Sequence, residues 1–277
     1  AQIYEQLKAN NTEGLSDAEL LSQAESQAYA NAVNAQWRSK AINDRYEPGS
    51  TFKALVLAAA LEEGVVSESD TFTCTGSVMV PGYDKPIHCS DRSGHGVQTL
   101  AEAVQHSCNP AFIMTGQALG AELFMEYLDK FGLYNITGVD LPGEATSIMH
   151  SRETMMNENM ASLSSASFGQ TFKVTALQLM TAVNASVNGG YLMQPYIVSQ
   201  VLDSDGNVVS NTEPVVVRQV ISEETSALIA SYAEQVVSGE GGSGARAAVP
   251  GYRIGGKTGT SQKLDSGDPD ARIASFV

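Results

Sequence analysis

Glu47-Pro48-Gly49-Ser50-Thr51-Phe52-Lys53 runs straight into Ala54-Leu-Val-Leu-Ala-Ala-Ala-Leu61, and the fold turns on how this stretch is read. Pro48 and Gly49 mark a turn, and the residues after them are strong helix formers that predict an apolar helix over Phe52–Leu61. Glu62-Glu63-Gly64 ends it, with Gly64 placed to take a left-handed conformation after the last turn. Ser50 then falls in the first turn, and Lys53 shares its face, so the amine can approach the hydroxyl. Unsatisfied backbone N–H groups and the helix dipole at that end favour a developing oxyanion. A hydroxyl nucleophile needs a base, and lysine serves when burial or a second cation lowers its pKa by several units. Taken alone, Ser-x-x-Lys is a short pattern that also reads as a capping serine followed by a solvated lysine.

Two further stretches follow in order. Thr99-Leu-Ala-Glu102 is a capping box opening a helix through His106, and Pro110 disfavours helical geometry at the residue before it, so Ser107-Cys108-Asn109 should be a loop. Asn109 and Pro110 suit the N-cap and first position of the next helix, Ala111 to Leu119, with Gly120 as its stop. By itself the triplet is a helix connector. Tyr252-Arg-Ile-Gly-Gly-Lys-Thr-Gly-Thr260 reads as a strand with glycines where a backbone must come close, or simply as a glycine-rich edge strand.

Ser-x-x-Lys, Ser-x-Asn and Lys-Thr-Gly in this order form a recognised set. With Tyr46-Glu-Pro-Gly-Ser-Thr-Phe-Lys53, Gly94-His-Gly96, Ser107-Cys-Asn-Pro-Ala-Phe112, Asp140-Leu-Pro-Gly-Glu144, Phe168-Gly-Gln170 and Gly255-Gly-Lys-Thr-Gly-Thr-Ser-Gln262, the chain resembles the transpeptidase domain of class B penicillin-binding proteins from about residue 31 onward. The resemblance implies an α/β (α+β) fold of the penicillin-binding protein/β-lactamase type, an antiparallel sheet flanked by helices plus a helical subdomain. It implies one domain over 1–277, with the helical subdomain at roughly 65–190 and sheet-side elements at roughly 31–64 and 191–277. The family's sheet begins and ends with strands that are not evident here, so the sheet is expected to be incomplete at both chain ends.

The resemblance also implies a chemistry. Ser50 would attack the penultimate D-alanine carbonyl of a peptidoglycan stem peptide, expel the terminal D-alanine, and pass the acyl group to an amine on a neighbouring stem. Lys53 would take the Ser50 proton, Ser107 would relay protons to or from the amines, and Asn109 would bind the substrate amide. Lys257, Thr258 and Thr260 would hold the substrate carboxylate, and Gly259 would let the extended substrate lie against the strand. The Ser50 and Thr260 N–H groups would form the oxyanion hole, where one donor can supply roughly 3–4 kcal/mol. β-Lactams would acylate Ser50 as substrate mimics, and no cofactor is implied. A β-lactamase would share the motifs but needs a base to activate water, and Glu144 in Leu-Pro-Gly-Glu is the wrong context for one. A β-lactam-sensing module and a D,D-carboxypeptidase are the other readings.

The chain has 277 residues, 43% of them hydrophobic, enough for a substantial core. Sixteen basic against 31 acidic residues give a net charge of −15, which argues against general nucleic-acid or anionic-membrane binding. No apolar run reaches the roughly eighteen residues of a membrane span, and Ala1-Gln-Ile-Tyr-Glu-Gln-Leu-Lys8 does not resemble a signal peptide. Family membership would place the domain on the extracytoplasmic face of a bacterial plasma membrane, with its anchor and its contacts to other cell-wall synthesis proteins outside this sequence. Helices are also predicted from Ala121 to Phe131, from Thr175-Ala-Leu-Gln178 to Gly189, and from Ser222 to about Val237. Tyr196–Leu202, turned at Asp205-Gly206, and Val215–Val220 read as a peripheral hairpin and strand, and Leu264–Asp270 as a turn between the last two strands.

Cys74 and Cys89 flank a polar loop and could form a disulfide outside the cytoplasm, leaving Cys108 unpaired, or all three could be reduced thiols. The spacing of Cys74, His88, Cys89 and His95 matches no standard zinc pattern, so no metal is expected. His95 is expected to order its loop by a hydrogen bond, and Met155, Met156 and Met160 to pack a helix or lie on the surface.

Overall fold

The computed structural model of the chain describes residues 1–11, 14–156, 160–263, 267–268 and 270–277. It opens with α1 (Gln2–Ala9) and α2 (Asp17–Trp37), two helices that precede every motif and element expected from the sequence. A reciprocal capping box between Ser16 and Glu19 starts α2, but only Leu20 and Ala24 of it are buried. Its helicity rests on cap and propensity rather than on an apolar stripe, which is why periodicity did not reveal it.

Helix α3 (Lys40–Asn43) and strand β1 (Arg45–Tyr46) lead to the Pro48-Gly49 turn, where the Gly49 N–H donates to Gly169 O at 2.8 Å. A single 3-10 turn, Gly49–Phe52, then feeds α4 (Lys53–Glu62), which buries Lys53 and every residue from Leu55 to Ala60. A helix apolar on all sides belongs at the centre of a domain, and α4 is there. It stops at Gly64, where the Val65 N–H closes back on Ala60 O at 3.0 Å.

Next come two nested antiparallel ladders, β2 (Thr71–Cys74) with β5 (Gly96–Thr99) outside, and β3 (Ser77–Val78) with β4 (Ile87–His88) inside. The capping box of Thr99 and Glu102 starts α5 (Leu100–Gln105) as expected. Helix α6 (Asn109–Lys130) is broken at Gly120, whose φ of 79° and ψ of 157° are not helical, so the expected stop is a kink between two helical halves. Short α7 (Arg152–Met155) and α8 (Ala161–Ala166) follow, with Met155 buried. Strand β6 (Val174–Thr175) pairs with β1, and the Thr175–Gln178 capping box starts α9 (Ala176–Val187).

Strand β7 (Tyr191–Gln194) was not foreseen; it pairs with the later β10 (Val215–Gln219), and between them β8 (Gln200–Leu202) and β9 (Val208–Asn211) make the exposed hairpin turned at Asp205-Gly206. Helix α10 (Glu223–Ser238), capped by Ser222, precedes β11 (Thr258–Gln262) and β12 (Arg272–Phe276), which pair antiparallel. Of the turn read over Leu264–Asp270, residues 264–266 and 269 lie outside the described residues. The core gathers α4, α6, α9 and α10, with Phe52 set edge-on to Phe172 at 4.8 Å between ring centres. Among the described residues every ladder is antiparallel and two-stranded, six in all, so the antiparallel pairing expected from sequence is present as small separate ladders set among the helices.

Candidate active site

The turn that carries Ser50 is pinned from two directions. Gly169 O accepts from the Gly49 N–H, and β11 passes on the other side. A Cβ at Gly259 would stand 2.5 Å from Ser275 Oγ, 2.8 Å from Thr51 Cγ2 and 3.1 Å from Pro48 O, so only glycine lets this strand lie so close to the turn. The space around Gly259 is thus filled by the protein itself, a reason for the glycine different from the substrate contact expected.

Lys53 is completely buried, and its Nζ donates to Ser107 O at 2.7 Å, Asn109 Oδ1 at 2.7 Å and Ser107 Oγ at 3.2 Å. It also lies 5.2 Å from the centre of the Phe112 ring. Burial, and then the Lys257 cation, hold this amine well below the ordinary lysine value, while Cys108 and Cys89 act in the opposite direction. Lys257, 4% exposed, donates to the same Ser107 Oγ at 2.8 Å and to Thr258 O at 3.1 Å, and burial draws its amine down to about 7. One hydroxyl therefore sits between two buried amines. Either amine, once neutral, can accept the proton that Ser107 Oγ carries, which makes the row Lys53–Ser107–Lys257 a path for protons.

Ser50, half-buried, has no side-chain hydrogen bond among the described residues, and the three protons of a charged Lys53 are committed to Ser107 and Asn109. The shared helical face brings Lys53 to the site but does not by itself bond it to Ser50. The triplet loop explains why. Ser107 has a left-handed φ of 56°, a costly conformation for a residue with a side chain, and it turns both its carbonyl and its hydroxyl onto Lys53. Asn109, expected as N-cap of α6, is instead its first residue; the cap position is Cys108, without a side-chain bond. Freed from capping, Asn109 accepts from Lys53 and donates through Nδ2 to His88 O at 2.9 Å.

Thr258 Oγ1 donates to Ser243 Oγ at 3.2 Å, which brings the loop after α10 to the site through Ser243, a residue that none of the sequence motifs singled out. Glu47 is buried and accepts from the Thr171 N–H at 2.9 Å, supporting the turn from below. Glu144 accepts from the N–H groups of Thr137 and Gly138, at 2.6 and 3.1 Å, and so holds a loop of its own.

Cys74 and Cys89 are free, buried thiols, and the bridge that the sequence allowed is not formed. Cys89 Sγ instead lies 3.9 Å from Cys108 Sγ and 3.6 Å from His95 Nδ1. The four-residue set weighed from sequence also changes, because His88 offers its carbonyl to Asn109 and Cys108 joins Cys74, Cys89 and His95 in one cluster. Spacing along the chain gave no hint of Cys108, which reaches the cluster only through the fold.

Residues 15–277 match the penicillin binding protein transpeptidase domain. The chain is 43% identical over 244 residues to stage V sporulation protein D of Bacillus subtilis, and 33% identical over 238 residues to a probable peptidoglycan D,D-transpeptidase, FtsI, of Caulobacter vibrioides. These alignments cover 87% and 84% of this chain and 37% of each relative, so the chain spans just over a third of their length. Among solved structures, the D,D-transpeptidase domain of a peptidoglycan glycosyltransferase from Eggerthella lenta superposes with a TM-score of 0.80 at 27% identity, covering 93% of this chain and 62% of that one. Penicillin-binding protein 3 of Mycobacterium tuberculosis in complex with ampicillin superposes with a TM-score of 0.76 at 28% identity, covering 86% and 53%.

Proposed function

The chain belongs to the penicillin-binding protein transpeptidase family, and we propose that it is the acyl-transfer domain of a peptidoglycan D,D-transpeptidase with Ser50 as nucleophile. The observation that carries this reading is the buried row Lys53–Ser107–Lys257 beside the Ser50 turn. Neutral Lys53 keeps two N–H donors and gains a lone pair, so loss of its proton frees it from one of its three partners to accept from Ser50 Oγ. The Ser50 oxygen then bonds to the penultimate D-alanine carbonyl carbon, and the oxyanion forms against the N–H groups of Ser50 and Thr260. As the C–N bond breaks, the proton held by Lys53 passes through Ser107 Oγ to the departing D-alanine amine. The acceptor amine retraces the path, giving its proton back along Ser107 as it displaces Ser50.

Lys257, Thr258 and Thr260 would hold the carboxylate of the stem peptide or of a β-lactam, and Asn109 its amide. In a β-lactam the leaving nitrogen stays tethered to the acyl group, so no amine departs and the ester on Ser50 persists. The ampicillin complex of the Mycobacterium tuberculosis relative supports β-lactam binding here. By the same family argument the domain works at the extracytoplasmic face of a bacterial plasma membrane together with other cell-wall synthesis proteins. No helix among the described residues is long and apolar enough to cross a membrane.

Intact mass after exposure to benzylpenicillin tests the reading. A long-lived adduct that is absent in Ser50→Ala is expected. Rapid return to the unmodified mass with hydrolysed drug in solution would instead mean a β-lactamase, and an adduct retained by Ser50→Ala would remove Ser50 from its role.

A further inference from the structure

Four potential metal ligands from four separate segments converge beside the proton path. Cys74 ends β2, Cys89 follows β4, His95 precedes β5 and Cys108 precedes α6. Their three sulfurs and one ring nitrogen all lie within 4.8 Å of one another, and the three cysteines are buried. We propose that Cys74, Cys89, His95 and Cys108 bind a structural zinc ion. This goes beyond the acyl-transfer reading and does not depend on it.

Distances and ligand chemistry both point to zinc. Zinc binds thiolate at about 2.3 Å and imidazole at about 2.0–2.1 Å, so tetrahedral ligands stand about 3.8 Å apart for two sulfurs and about 3.6 Å for sulfur and nitrogen. Cys89 Sγ lies 3.9 Å from Cys108 Sγ and 3.6 Å from His95 Nδ1, close to both edges. A disulfide would need the sulfurs at about 2.05 Å and would leave the third thiol and the imidazole unused. Three soft thiolates with one imidazole select zinc over calcium or magnesium, and four protein ligands leave no position for substrate, which is the pattern of a structural site. On binding, each thiol gives up its proton to solvent and the imidazole stays neutral, so the filled site carries one net negative charge.

The ligands are also held in place by contacts other than the ion. Cys89 N–H donates to Gly76 O at 2.9 Å. Gly94, at φ of 88°, packs so tightly that a Cβ would lie 2.4 Å from Cys74 O and 2.7 Å from Gly76 N, which locks the turns that carry Cys74 and His95 together. The His95 ring stacks on His106 at 4.9 Å and 10°. The ion would therefore fasten both ladders, β2–β5 and β3–β4, to Cys108, whose two chain neighbours are the residues that hold Lys53.

The test is metal content of the intact chain, grown with zinc and purified under reducing conditions. About one zinc per chain is expected, with an X-ray absorption spectrum showing three sulfurs and one nitrogen. Cys74→Ser and Cys89→Ser should each lower zinc retention at least about ten-fold, His95→Cys should keep it as a four-sulfur site, and Ser50→Ala should leave it unchanged. The absorption spectrum reads the ligands in the unaltered protein, so the test survives a variant that fails to fold. A folded chain that takes up no zinc, a spectrum dominated by oxygen, full zinc in the Cys74→Ser/Cys89→Ser double variant, or a cysteine–cysteine bond in the zinc-grown protein would each overturn the proposal. Loss of penicillin labelling with zinc intact would count against the acyl-transfer reading alone.

Discussion

Ser107 and Asn109 face amines while Cys108, the residue between them, faces sulfur. The two sides of this one short loop were built differently. On the amine side, each participant comes from a stretch whose local spacing already carries the geometry, Ser50 and Lys53 on one helical face and Lys257 to Thr260 on one strand. On the sulfur side, no two participants share an element, and the cluster exists only because two nested ladders fold back on α6. Chemistry that depends on local spacing can be read from sequence, whereas chemistry assembled from distant loops needs the fold.

The largest expected effect lies on the amine side. Lys53→Met keeps the buried apolar stem but removes the proposed base, and penicillin acylation should slow by about 10³-fold, in the range of general-base catalysis. Zinc retention should not change. Stopped-flow acylation and metal content on one preparation check both. A variant that labels at the original rate would transfer the base role to another group, with Lys257 the first candidate by its shared contact to Ser107.

Gly259→Ala comes next. Its Cβ must push β11 away from Thr51 and Pro48, and a displacement of about 1 Å between the strand and the Ser50 turn costs about 10²-fold in rate. Stopped-flow acylation by benzylpenicillin measures it, and thermal unfolding separates misplacement from global loss of structure. A rate near the original would mean that the turn follows the strand.

The same division explains what the sequence did and did not disclose. Caps and stops were legible because Thr99, Thr175 and Ser222 bond their own first turns, and a capping residue needs no distant partner. The assignment of Asn109 as a cap failed for the opposite reason. Two distant groups, Lys53 and His88 O, compete for that side chain and win. Helix α2 was missed because it buries only two residues, and β7 because its partner β10 lies beyond an intervening hairpin. The pairing of Cys89 with Cys108 was invisible to spacing alone.

Cys108→Ser probes the coupling between the two sides. It deletes one proposed zinc ligand without touching a group bonded to Lys53, so zinc should be lost and acylation should fall by about 30-fold through a loosened Ser107 and Asn109. Equal acylation by zinc-loaded and zinc-free protein would show that the sulfur side only stabilises the ladders.

A pH profile of initial, pre-covalent β-lactam binding is a smaller test, set by Lys257. Burial draws the free amine down to about 7, and a bound carboxylate favours its cation and raises that value. Binding above pH 7 therefore takes up a proton, and affinity must fall as pH rises. Between pH 7 and 8 the cationic fraction drops from about one half to about one tenth, so the apparent dissociation constant should rise about five-fold. Lys257→Arg, always cationic, should flatten the profile over this range, and a profile equally steep in that variant would assign the proton elsewhere.

The smallest effect is expected where neither side of the comparison reaches. Strands β8 and β9 are exposed along their whole length, and their turn is held by local bonds from the backbone N–H groups of Asp205 and Asn207 to Asp203 Oδ1, at 2.9 and 2.8 Å. Asp203→Ala removes those bonds but leaves the ladder, so stability should change by no more than about 0.5–1 kcal/mol, and acylation and zinc retention should not change. A drop of ten-fold or more in either activity would mean that this hairpin bears on the cleft, and the division between locally and distantly assembled chemistry would have to include a third region.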